Sequence, residues 1–355
     1  MKCNVIARGI IDPDATYQGW PTVLLTRNNT LVVGCSGDRL GHVCPYGRAQ
    51  IYRSEDFGKT WEGPQKISNG PLDDRDVGLC QAADGSIFAG YFTSVFGFYW
   101  CDDDNEISDK VTIKDMKDNL GFWARRSFDD GKTWTERFSI PVFSCHGPTL
   151  LSDGTMLYAG PEHPKKYVSI LGGMAKRVST SVARSTDNGQ TWELIAKIPI
   201  PEDQTAEKMC EMHMVEAADG TIIMHIRNHN GGYGTIWQCE SKDKGVTWTV
   251  PHYVSCGFPS FLTRLSDGRL MMSVSWREVP YGIRARISED NGKTWGEEII
   301  LHDTAEFGDL GYPTTMELPD HTFFTVWYEY IGIAYHPDGV AYSKSILRYL
   351  NWSLS

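Results

Sequence analysis

The sequence predicts an all-β chain folded as a six-bladed β-propeller. Three observations predict it. An eight-residue pattern, S-x-D-x-G-x-T-W, occurs five times. Six short turns, mostly Asp-Gly, lie between apolar, β-rich runs. These turns are evenly placed, roughly 58 residues apart on average, as a repeat architecture requires.

The eight-residue pattern begins at Ser54, Ser127, Ser185, Ser241 and Ser288 and ends at Trp61, Trp134, Trp192, Trp248 and Trp295. Each copy fits a hairpin turn, here called an Asp box. Its Asp accepts backbone N–H bonds, its Gly supplies a positive φ, and its Trp covers a neighbouring sheet. The second series comprises Asn28-Asn29, Asp84-Gly85, Asp153-Gly154, Asp219-Gly220, Asp267-Gly268 and Asp320-His321. Asp-Gly between apolar runs is a strong hairpin signal. Six such hairpins, most followed by an Asp-box hairpin, give six four-stranded blades. A strand near Val5 should close the ring against the C-terminal strands. Extra length falls in loops such as Phe96 to Met116, whose Asp102-Asp103-Asp104 run reads as a solvated loop or a cation site.

Composition agrees with one domain over residues 1–355. The hydrophobic content of 41% supports a large core, and twelve Trp and sixteen Tyr suit stacked sheets. No linker, low-complexity tract or strong helical period interrupts the chain. The net charge of -11 argues against nucleic-acid and anionic-membrane surfaces. Nine cysteines without a C-x-x-C pair read as reduced thiols, not as a disulfide framework or zinc site. With no apolar leader segment and no long apolar run, the expected location is cytoplasmic.

The hairpins also locate a face. Residues about eight positions before each turn should meet around the central axis. They are Trp20, Asp76, Cys145, Glu211, Pro259 and Tyr312, with Arg75 and His146 adjacent. Eight to ten positions after the turns come Ser36, Asp38, Arg227, Arg277 and Glu329. A water-filled channel of paired charges is the plain alternative to a site here.

Two segments resemble sialidases. Cys210-Glu211-Met212-His213-Met214-Val215-Glu216-Ala217-Ala218-Asp219-Gly220, continuing to Ile226-Arg227-Asn228, is similar to the sialidase stretch N-E-x-Q-V-V-E-L-x-D-G…R-N. Gly311-Tyr312-Pro313 through Leu318-Pro319-Asp320 to Trp327-Tyr328-Glu329 resembles G-Y-S…L-P-D-G…L-Y-E. The resemblance implies a Tyr312 nucleophile, Glu211 assisting it, Arg227 binding the substrate carboxylate and Glu329 steadying the first arginine. That arginine belongs to an F-R-I-P stretch, whereas this chain has Gln18-Gly19-Trp20-Pro21. Arg39 or Arg75 would replace it. Arg277 is preferred to Arg284 and Arg286 as the third arginine. The acid/base Asp of the family lies in the loop after the first hairpin, where Asp38 and His42 both qualify, with Asp76 as a third candidate.

The residue types suit the chemistry. A sialic acid carries a carboxylate on its anomeric carbon, which repels a carboxylate nucleophile but not a neutral Tyr. That Tyr needs a base within reach, and arginines give bidentate grip on the carboxylate. No metal or organic cofactor is required. The implied function is a retaining exo-glycosidase acting on a terminal sialic acid or related anionic sugar. The alternatives are a uronate-directed polysaccharide lyase and a non-catalytic propeller binding glycan or protein. The sequence leaves the oligomeric state open.

Overall fold

A computed structural model describes residues 1–95, 111–162, 179–229, 234–337 and 339–355. Strand β1 (Cys3–Ile10) is followed by β2 (Tyr17–Leu25), β3 (Leu31–Arg39), β4 (Arg48–Ser54) and β5 (Glu62–Lys66). Next come β6 (Asp73–Gln81), β7 (Ile87–Ser94), β8 (Gly121–Ser127) and β9 (Phe138–Ser139). The third group is β10 (Thr149–Leu150), β11 (Met156–Pro161), β12 (Thr180–Ser185) and β13 (Glu193–Lys197). The fourth is β14 (Met209–Glu216), β15 (Ile222–Asn228), β16 (Thr235–Ser241) and β17 (His252–Cys256). The fifth is β18 (Ser260–Arg264), β19 (Leu270–Trp276), β20 (Gly282–Ser288) and β21 (Ile299–His302). The chain ends with β22 (Leu310–Glu317), β23 (Phe323–Tyr335) and β24 (Ala341–Leu354).

Strands β6–β9, β10–β13, β14–β17 and β18–β21 form four four-stranded antiparallel sheets in a propeller arrangement. Of the six separate sheets expected, these four form as such. The other eight strands pair as one sheet, β22-β23-β24-β2-β3-β4-β5, with β1 on β24. The join is a single parallel pair, Tyr17 with Ser345. As expected, the strand carrying Val5 lies against the C-terminal strand, paired from Cys3–Leu354 to Ile10–Arg348 with one register shift between Val5 and Ala7.

The turns form where the sequence places them. At the second position of each, Asn29, Gly85, Gly154, Gly220, Gly268 and His321 take φ values of 63°, 87°, 87°, 82°, 91° and 63°. In the Asp box at Ser185, Asp187 accepts from Ser185 Oγ at 2.8 Å, Thr191 N at 2.9 Å and Thr191 Oγ1 at 2.6 Å. The other four boxes repeat this network.

The core lies between adjacent sheets. Leu157 and Val182 pack with Met214, Ile222 and Trp248 across one such junction. Box glycines approach the preceding sheet so closely that a Cβ at Gly189 would sit 2.9 Å from Phe88, and one at Gly58 2.6 Å from Phe324. The second contact carries the stacking from the first box back to β23.

A short helix, α1 (Ile113–Asn119), capped by Thr112, stands where the sequence reading had only loop. Seven residues make only two turns, too short for a periodic signal. The Asp102-Asp103-Asp104 run lies outside the described residues. The eight described cysteines form no disulfide. Among the described residues no helix is long and apolar enough to cross a membrane.

Candidate active site

The inner strands do not enter the axis as regular strands. Trp20, Asp76, Glu211 and Tyr312 take φ of 54°, 54°, 50° and 54°, each inside a register shift of its inner hairpin. Such a bulge re-aims a side chain out of strict alternation. Four different inner strands therefore turn their equivalent residues in the same way.

Two of these residues meet. Tyr312 Oη donates to Glu211 Oε1 at 2.5 Å. Arg227 Nη1 donates to Glu211 Oε2 at 2.6 Å and to Tyr312 Oη at 3.2 Å. Its guanidinium stacks 3.9 Å from the centre of the Phe258 ring, and Arg277 lies over the same ring at 5.0 Å. Arg277 is held by Leu310 O and Tyr328 Oη, both at 2.8 Å. Arg284, by contrast, is buried against Glu298, 3.2 Å away.

The electrostatics assign protons. Burial pushes the Tyr312 hydroxyl well above its ordinary value, the Glu211 charge adds to this, and Arg227 opposes it. Burial also works to raise Glu211, but the Arg227 charge and the hydrogen bonds from Arg227 and Tyr312 outweigh it and hold the carboxyl low. The resting pair is thus a neutral Tyr312 beside an ionised Glu211.

The remaining candidates separate by position. Arg75 stacks on Trp20 at 4.1 Å, 3.7 Å from Asp73 Oδ2, and its buried Nε has no partner among the described residues. Asp76 is 8% exposed, and its Oδ1 has no partner among the described residues. Burial pushes its carboxyl up to about 7, against the pull of Arg75. His42 stands at the edge of Trp20, 5.1 Å between ring centres.

Four expectations are corrected. Asp38 turns outward, where its carboxylate takes Gln50 Nε2 at 2.8 Å and pairs with Lys66 on β5. Arg39 is fully buried and spent: it holds Asp73 through Nη1 at 2.5 Å and Nη2 at 3.2 Å, and also Ser36, Gly41 O and His42 O. It cannot stand in for a ligand-binding arginine. Glu329 faces away from the axis, taking Arg348 Nε at 2.8 Å with His302 Nε2 3.0 Å away. Its neighbour Tyr328 faces the axis instead, as strand alternation requires. His146 is fully buried behind Tyr312, 6.0 Å between rings, and burial lowers it to about 4. Both its ring nitrogens are without a partner among the described residues, and it is shut off from the pocket opening.

Sequence reasoning missed Asp309, Tyr17 and Tyr328. Asp309 receives Tyr17 Oη and Tyr328 Oη, each at 2.7 Å, and His42 Nδ1 lies 3.1 Å away. The available signal was proximity in sequence: Asp309 precedes Tyr312 by three positions and Tyr17 precedes Trp20 by three.

Comparison with known proteins bears on the family and the fold. A model described as "BNR repeat-like domain" matches residues 108–326, and one for a "BNR-Asp box repeat" matches residues 51–63. The chain is 24% identical over 221 residues to a sialidase of Bacteroides fragilis (strain YCH46), covering 55% of this chain and 37% of that protein. It is 24% identical over 215 residues to a sialidase of Paraclostridium sordellii, covering 56% and 48%. The match thus spans half or less of these relatives. Among solved structures, a protein of unknown function from Dyadobacter fermentans DSM 18053 superposes with a TM-score of 0.74 at 21% identity, covering 98% of this chain and 99% of that one. The NanB sialidase of Streptococcus pneumoniae gives 0.68 at 15% identity, covering 100% and 71%. At such identities the superpositions show a shared fold. The family model covers well over half of the chain, and the chain belongs to the BNR repeat-like family.

Proposed function

We propose that the axial pocket is the active site of a sialidase-type glycoside hydrolase that releases a terminal sialic acid or related anionic sugar with retention. The observation that carries this is the Tyr312–Glu211 contact of 2.5 Å with Arg227 against both groups. The sialidase relatives add a carbohydrate substrate class. On this reading the eight-stranded sheet is two blades joined at Tyr17, which makes six. Trp20 stands where sialidases carry their first arginine, and Arg75, stacked on it, takes over that charge.

Tyr312 attacks the anomeric carbon while its proton passes to Glu211, which is already ionised. Arg227 and Arg277, on one aromatic shelf, grip the substrate carboxylate. The glycosidic bond breaks to a tyrosyl-linked sugar, which water then releases by attack on the face the aglycone has left, opposite Tyr312.

The test is turnover of aryl sialosides, ulosonosides and uronosides against uncharged glycosides, with the first-formed anomer read by NMR. Tyr312→Phe should keep the fold and lose several orders of magnitude in kcat. Glu211→Gln should lose somewhat less, and the double variant no more than the worse single one. Near-normal turnover by Tyr312→Phe, or equal use of charged and uncharged sugars, defeats the reading. An unsaturated, ultraviolet-absorbing product would establish a lyase instead.

A further inference from the structure

We propose that His42, positioned by Asp309, is the group that protonates the departing oxygen and later activates water. This deepens the glycosidase reading and rests on it. The inference comes from a convergence of donors on Asp309. This carboxylate, from the loop before β22, collects Tyr17 Oη from β2 and Tyr328 Oη from β23, both at 2.7 Å, and faces His42 Nδ1 at 3.1 Å. Burial favours its neutral form, but the hydrogen bonds and charge of His42, with those of both tyrosines, bring it down to about 2. An ionised carboxylate only accepts. Tyr17 Oη also lies 3.0 Å from His42 Nδ1, but its hydrogen goes to Asp309. Both neighbours of Nδ1 are thus acceptors, the hydrogen sits on Nδ1, and Nε2 is left to exchange a proton with a ligand. A carboxylate fixing the tautomer of a catalytic imidazole is the logic of acid–base triads.

Position distinguishes His42 from the rivals. Its side chain is 44% exposed, whereas Asp76 is 8% exposed. A leaving group departs toward solvent, so its proton donor must stand at the mouth, not on the floor. Asp38 is turned to β5. The ring of His42 rests edge-on against Trp20 at 5.1 Å and Tyr17 at 6.2 Å, which fixes its orientation. The charged and titratable groups around it are Asp309, Tyr17, Tyr328 and Arg39, whose Nη2 donates to the His42 carbonyl at 3.1 Å. Tyr328 also receives Arg277 Nη2 at 2.8 Å, and its ring is 6.0 Å from that of Tyr312. The dyad is thereby linked to the nucleophile and to a carboxylate-binding arginine.

Protons balance over both steps. As Tyr312 bonds to the anomeric carbon, Glu211 takes the phenolic proton and the bond to the aglycone oxygen breaks. That oxygen takes the proton from Nε2 of a His42 that enters the step doubly protonated, leaving the neutral Nδ1–H imidazole. Water then gives a proton back to Nε2 and its oxygen to the anomeric carbon. The bond to Tyr312 breaks, and the phenolate retrieves its proton from Glu211.

The experiment compares sialyl-lactose, whose aglycone needs a proton, with a nitrophenyl sialoside, whose aglycone leaves as a stable anion. His42→Gln should lose about 10²–10⁴-fold in kcat on sialyl-lactose and less than about tenfold on the nitrophenyl sialoside. Asp309→Asn should show the same contrast, smaller in size. In the wild-type protein, ¹⁵N NMR of the neutral imidazole at high pH should show the Nδ1–H tautomer, and Asp309→Asn should redistribute it. Equal losses on both substrates in folded variants overturn the dyad, as does a contrast that appears in Asp76→Asn but not in His42→Gln. An active wild type with such variants leaves the glycosidase reading standing. A wild type inactive on every anionic glycoside removes both.

Discussion

Trp20, Asp76, Glu211 and Tyr312 are not glycines, yet all four hold φ between 50° and 54°. Such residues cost of order 1–3 kcal/mol each and persist where the surrounding structure over-determines them. Here the return is aim, because the bulge swings each side chain toward the axis. Asp76 carries a second cost. Its carboxyl is pushed up to about 7 by burial, so folding disfavours its charged form. The native state then holds more protons than the unfolded chain between the unfolded pKa near 4 and about 7, and stability falls as pH rises through that window. At roughly 1.4 kcal/mol per unit the loss is of order 4 kcal/mol at most. Asp76→Asn removes the ionisation. Denaturant melts should therefore show the variant gaining on the wild type as pH rises from 4 to 8, with a constant offset below 4. A pH-independent gap would show that Asp76 stays ionised in the fold.

At the scale of the element, the Asp box is a turn whose hydrogen bonds close within eight residues. Asp187→Ala deletes the acceptor for Gln190 N, Thr191 N, Thr191 Oγ1 and Ser185 Oγ together. The expected loss is about 1–2 kcal/mol in a chemical melt, with kcat/KM unchanged in the folded fraction. A variant of normal stability that fails in catalysis would give the box a role at the site. This locality is why the boxes and hairpins were legible in the sequence: one chain segment contains both partners of every bond. The Glu211–Tyr312 pair was legible for a related reason, since both stand eight residues before a hairpin turn and so reach one height. Glu329 and Tyr328 were not. The choice of which neighbour faces the axis depends on strand phase, and the bulge at Tyr312 on the paired strand shifts that register. Arg39 was misjudged because its partner, Asp73, lies on another sheet and nothing within β3 announces it. Asp309 belongs to no strand, and its three contacts come from Tyr17, His42 and Tyr328, far apart in the chain.

At the scale of the molecule the question is what holds the first and last strands together. The path runs through β1 and the segment after it. Strand β1 pairs β24 over Cys3–Ile10, and Ile11 N then donates to Leu347 O at 2.9 Å. Asp12 accepts from Tyr52 Oη at 2.7 Å, Ser345 N donates to Thr16 O at 3.1 Å, and the chain reaches Tyr17, which binds Asp309. Residues on β1 are mostly exposed, so its hold on the fold is by backbone bonds more than by apolar burial. At about 0.5–1.5 kcal/mol net for each bond, the strand contributes several kcal/mol. Deleting residues 1–10 should lower Tm clearly in a single transition. It also bares β24, a 14-residue strand, as an open edge, so concentration-dependent association should appear. Because the same path ends at Tyr17 and Trp20, substrate affinity should fall along with stability. A synthetic peptide of residues 1–12 added in trans should occupy the vacated edge and raise Tm again. If the truncated chain melts like the full one, β1 is an ornament on β24 and closure rests on the Tyr17–Ser345 join alone.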